Sequence, residues 1–139
     1  MTIKNIILII CLLLSNIIAQ SQSKPLIYRA VKIQTILDST GVSKGWEKIN
    51  VFVKFYQTEN KLDSIIINKG KHFGVIINEL KASYKIDDTS WNIYTGYDDE
   101  IAEDLEIRLA LFEKEMNNEI GLLSIKYTNF AINIKLSGK

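Results

Sequence analysis

The sequence predicts an all-β domain: one antiparallel meander of about seven or eight strands, closing as a sandwich or a small barrel. Three observations predict it. Trp46–Gln57 alternates, with Ile49, Val51, Val53 and Phe55 on one face and Lys48, Asn50, Phe52, Lys54 and Tyr56 on the other. The runs Leu105–Leu111 and Leu123–Tyr127 alternate in the same way on either side of the polar pair Asn117-Asn118. Polar or glycine-bearing turns recur at short intervals between the apolar runs, the spacing of a meander.

The amino end reads differently. Lys4 precedes the unbroken apolar run Ile6–Leu14, and the small-residue stretch Ala19-Gln20-Ser21 follows. A basic start, a short apolar core and a small-residue site make a signal peptide over residues 1–21, cut after Ala19 or Ser21. The run is shorter than the roughly 20 residues that span a bilayer, so no membrane span is expected after cleavage. Cys11, the one cysteine, lies in mid-run behind Ile9 and Ile10, where lipidation would want small residues. It reads as one more apolar signal residue. Residues 24–139 are then a single β domain, secreted or periplasmic, with no disulfide and only its apolar core to hold it.

The elements follow in order. Lys24–Leu37 opens the domain in a mostly two-residue period through Val31, Ile33, Thr35 and Leu37, and Asp38-Ser39-Thr40-Gly41 is a turn. After the strand at Trp46–Gln57 come a polar turn at Thr58–Lys61, a strand at Ile65–Ile67 and a turn at Asn68–Lys71. Asp87–Ser90 turns into an aromatic strand, Trp91–Tyr97. Ala131–Leu136 closes the chain with Ile132, Ile134 and Leu136 on one face. Pro25, the one proline, precedes the first strand, where no ladder bond is lost.

Two segments fit both periods. Phe73, Ile76, Ile77, Leu80 and Tyr84 make a helical stripe, but Gly74-Val75-Ile76-Ile77 starts a helix badly, and a strand is expected over 73–85. Ile101, Leu105, Leu109, Phe112 and Met116 make another stripe, with acids crowding its start as a helix dipole favours. The alternation of Leu105, Ile107, Leu109 and Leu111 argues for a strand and for a hairpin over 105–127. The competing architecture is α+β, with a helix at 98–116.

The layout of signal peptide and meander, with Trp91-Asn92-Ile93-Tyr94, Glu106-Ile107-Arg108-Leu109 and Leu123–Asn129, resembles short secreted, uncharacterised all-β proteins common in Bacteroidota. In that group an Ile/Val-Arg-Leu strand is followed by a turn and a strand ending in Tyr-x-Asn or Tyr-x-Asp. The likeness spans about residues 44–136. Many members carry a cysteine near the Ile-Arg-Leu strand, and this chain has none there. The resemblance implies strands rather than helices, and no activity.

Composition excludes several chemistries. Without a cysteine after cleavage, thiol catalysis, cysteine-ligated zinc and iron–sulfur clusters are out. His72 is the one histidine and stands in the basic turn Lys69-Gly70-Lys71-His72, so neither a histidine-rich metal site nor a built triad is expected. Gly70-Lys71-His72-Phe73-Gly74 lacks the Lys-Ser/Thr of a phosphate loop. Neither catalytic residues, a cofactor nor a metal are expected. Charge is segregated: residues 24–85 carry net +6, 86–119 net −9 and 120–139 net +3. These cancel, so there is no general pull toward nucleic acid.

The candidate interaction surface is the acidic run Asp98, Asp99, Glu100, Glu103, Asp104 and Glu106, with the neighbouring aromatics Trp91, Tyr94 and Tyr97. The run matches no calcium loop, having no glycine between Asp98 and Glu106. The aromatics could offer a sugar- or peptide-binding face, and Phe52 and Tyr56 with Lys48 and Lys54 an aromatic–basic strip. The expected function is that of a non-catalytic binding or structural module of the cell envelope or extracellular space. A small barrel carrying an apolar ligand is the first alternative. A carboxylate-dependent hydrolase is the second. The partner classes left open are a protein and a second copy of the chain.

Overall fold

The alternation that sets Ile49, Val51, Val53 and Phe55 on one face becomes the inner face of a closed barrel in the computed structural model. The described residues are 2–11, 24–38, 41, 45–69 and 71–138, without the side chains of 68, 69 and 71–73. The expected cleavage positions after Ala19 and Ser21, the turn centre at Ser39-Thr40, Gly70 and the His72 side chain lie outside them. A short helix covers residues 3–11. No helix of the described residues is long and apolar enough to cross a membrane.

Eight strands follow: β1 (Leu26–Leu37), β2 (Glu47–Thr58), β3 (Lys61–Lys69), β4 (Lys71–Ile86), β5 (Thr89–Asp98), β6 (Glu103–Met116), β7 (Glu119–Lys126) and β8 (Phe130–Ser137). Each pairs antiparallel with the next, and β8 returns to β1, so the sheet closes without an outer edge. Both ambiguous segments are strands, and the expected hairpin over 105–127 is β6–β7. The turns that make this possible are local. Glu59-Asn60 and Asn117-Asn118 each place two consecutive residues at positive φ, between 51° and 65°. That is the twist a two-residue hairpin wants, and Asn tolerates it.

The core lies inside the barrel. Val53, Ile107, Leu123, Ile125, Ile134 and Leu136 are wholly buried, with Phe55 and Ile65 beside them. An eight-stranded barrel is just wide enough for such side chains to fill it. Alternate positions face outward as Lys48, Asn50, Asp104, Arg108 and Lys126, all exposed. Closure needs bends. β1 carries an irregularity between Ala30 and Lys32, and β4 carries two, between Ile77 and Glu79 and between Leu80 and Ala82. Where strands crowd, glycine stands. A Cβ on Gly96 would lie 2.6 Å from Ile107 Cδ1 and 2.7 Å from the Ile76 carbonyl oxygen, and one on Gly121 would run into the Ala110 carbonyl oxygen.

Candidate functional site

The turn between β5 and β6 gathers the acidic run at one end of the barrel but does not make one surface of it. Asp98 ends β5 on the inward phase and is 2% exposed. Its Oδ1 accepts the Glu100 N–H at 3.0 Å and the Ile101 N–H at 3.4 Å. Its Oδ2 accepts the Tyr127 hydroxyl at 2.9 Å. Tyr127 is buried, and its ring stacks on Phe130 at 4.4 Å. Burial first, then the Asp98 hydrogen bond and charge, then Glu103 and Glu100, push the Tyr127 phenol far above its ordinary ionisation. It therefore stays a hydrogen-bond donor. Glu103 faces Asp98 across the ladder, and its Oε2 is buried with no hydrogen-bond partner among the described residues.

The remaining acids face water. Asp99, Glu100 and Asp104 are exposed, and Glu106 is half-buried and bonded to Arg108 at 2.7 Å. Asp98 thus drops out of the expected interaction surface, because turn geometry claims its carboxylate. Among the described residues no group of three or more His, Cys, Asp or Glu is placed to hold a metal ion.

The three aromatics do not share a face either. Trp91 and Tyr97 lie on the outward phase of β5, half-buried, and Trp91 stacks on Tyr84 at 6.4 Å. Tyr94 points inward and is 8% exposed. On the aromatic–basic strip of β2, Lys48 and Phe52 are exposed while Lys54 and Tyr56 are half-buried. Phe52 is 50% exposed, with the Arg29 guanidinium 5.7 Å from its ring centre.

At the opposite end of the barrel from the acidic turn, two strands part. β3 and β4 pair from Lys69↔Lys71 only as far as Ser64↔Ile76, while β4 stays paired with β5 to Ile86. The two bulges of β4 fall just where it leaves β3, and they swing it away from the β2–β3 hairpin. A cleft of about 550 Å³ opens between the segments Asn60–Asp63 and Ile77–Leu80. Leu62, Ile77, Leu80 and the Tyr94 ring give it an apolar floor. The carboxamides of Asn60, Asn78 and Asn92 line it as well.

A polar relay runs across the β4–β5 side of the cleft. The Ser83 hydroxyl donates to Asn92 Oδ1 at 2.7 Å. Asn92 lies two residues from Tyr94 on the same face of β5, close enough for its carboxamide to favour the ionised phenol. Burial outweighs this and raises the Tyr94 ionisation above its ordinary value of 10.0, so the hydroxyl keeps its proton. The sequence placed Asn92 and Tyr94 on one strand face but gave no signal for Leu62, Asn78 or Ser83, because only the parting of β3 and β4 brings them together. Neither a protein-family model, nor a curated protein, nor a solved structure matches the chain.

Proposed function

We propose that the chain is exported and works as a non-catalytic binding module, taking its ligand in the cleft between β3 and β4. The observation that carries this reading is the cleft itself. Its volume falls in the range of about 300–1,000 Å³ typical of ligand sites, with polar groups converging over an apolar floor. Lys4, the run Ile6–Leu14 and the small residues at Ala19 and Ser21 support export.

Two other readings are less well supported. An apolar ligand carried in the lumen needs space that Phe55, Ile65, Ile107, Leu123, Ile125 and Ile134 occupy. Hydrolysis by paired carboxylates needs acids free to act on a substrate, and the Asp98 carboxylate is engaged with two N–H groups and Tyr127.

The test is native mass spectrometry of protein purified from its own host. Retained mass on the parent, lost when Asn78→Trp fills the cleft and kept when Phe52→Ser alters the outer strip, is the expected result. Retention that survives Asn78→Trp and fails with Phe52→Ser would move the site to the outer face. The same spectrum reads the start of the chain, expected at Gln20 or Gln22.

A further inference from the structure

We infer that the cleft between β3 and β4 is built for a neutral, polyhydroxylated ligand, a mono- or oligosaccharide in chemical class; this rests on the binding role proposed above. The lining argues it by elimination. An apolar ligand would cover Leu62, Ile77, Leu80 and Tyr94 but would also strip water from the side chains of Asn60 and Asn78 and offer them no hydrogen bond in return. An anion would meet Asp63 and Glu79 with Lys61 as the single opposing cation. A simple cation would find Asp63 already accepting from Thr58, and carboxamides that offer as many donors as acceptors.

A sugar fits these groups one by one. Each of its hydroxyls both donates and accepts, as do the side chains of Asn60, Asn78 and Asn92 and the Ser83 hydroxyl. Its C–H faces are apolar and pack on a floor of Leu62, Ile77 and an aromatic ring. The Tyr94 hydroxyl adds directionality. Ser83 donates to Asn92 Oδ1, which fixes that carboxamide beside Tyr94, and the phenol hydroxyl at the cleft can donate to an acceptor on a bound ligand. A ring or hydroxyl oxygen of a sugar is such an acceptor. A phenol ordinarily ionises near pH 10.0 and burial raises this one further, so it keeps that proton across the neutral pH range.

The experiment is a two-dimensional amide NMR titration of the mature domain with maltotriose, cellotriose and tri-N-acetylchitotriose. Laurate and inorganic phosphate serve as the apolar and anionic rivals. At least one trisaccharide should shift the amides of 60–63, 77–80 and 92–94 together. Tyr94→Phe keeps the ring and removes the donor, and it should weaken that sugar about fivefold to tenfold, the loss of one hydrogen bond. The exposed variant Asn78→Ala guards against a folding defect at Tyr94 and should weaken it similarly. If laurate or phosphate shifts these amides and no trisaccharide does, the saccharide inference fails while a binding role for the cleft stands. If no probe shifts them and native protein retains no mass, both fail.

Discussion

Tyr127 and Asp98 stand 29 residues apart and meet in the barrel interior, phenol hydroxyl to carboxylate Oδ2 at 2.9 Å. The bond ties the end of β7 to the β5–β6 turn, whose N–H groups the other oxygen of Asp98 accepts. One carboxylate thus organises a turn and anchors it to the neighbouring hairpin. A buried carboxylate of this kind is costly to strip of its donors.

Tyr127→Phe should therefore destabilise the domain by about 1–3 kcal/mol, since Asp98 stays buried and loses a partner. The variant should also change the response to alkali. The folded state holds the Tyr127 proton more tightly than the unfolded chain does. That contribution is complete below about pH 10, the unfolded value, and is lost as pH climbs from there toward the raised folded value. Urea midpoints of the parent should fall more steeply above about pH 10 than those of Tyr127→Phe. Parallel curves would show that Tyr127 does not carry the effect.

The acidic run should split in two when its carboxylates are replaced. Asp99→Asn, Glu100→Gln and Asp104→Asn touch exposed groups and should leave the melting midpoint unmoved or slightly raised, as charge repulsion is relieved. Asp98→Ala should lower it sharply, because two turn N–H groups and a phenol lose their acceptor. Differential scanning calorimetry of the four variants reads this directly. Equal effects at all four positions would contradict the inward placement of Asp98.

Gly121→Ala and Gly96→Ala should each cost about 1–3 kcal/mol in chemical denaturation. The larger loss is expected at Gly121. Its added methyl meets the Ala110 carbonyl oxygen and has Leu111 Cδ2 at 3.0 Å. At Gly96 the Ile107 side chain can turn aside, though the Ile76 carbonyl cannot. Gly74→Ala is the control, since nothing lies nearer than 3.8 Å to its new carbon. A cost there as large as at Gly121 would mean that crowding is not the cause.

The strands were legible in the sequence because an inward–outward alternation is written locally, as in β2 and β7. The segment 98–116 was ambiguous for a definite reason. Ile101, Leu105 and Leu109 are spaced by four, and positions four apart share a face in a helix and in a strand alike. The deciding residues are Ile107, wholly buried, and Arg108, exposed; a helix would set Arg108 closer to the buried stripe. The candidate site was not legible. Nothing near Asp98 in the chain announces that its carboxylate turns inward to meet Tyr127. Nor does anything near Asn92 announce a cleft, which depends on bulges in β4 and on where β3 stops pairing.

The closure of β8 onto β1 also fixes an order of events. Every other ladder joins sequence neighbours through a short connection, so β1 to β7 can zip up hairpin by hairpin as the chain is delivered amino end first. The eighth ladder pairs Arg29 with Ser137 and Leu37 with Phe130. It cannot begin until the last strand has arrived, and it carries the largest loop-closure entropy of the fold. Until then β1 waits as an open, unpaired edge in a nearly finished sheet. That interval is when the chain is most exposed to pairing with the wrong neighbour.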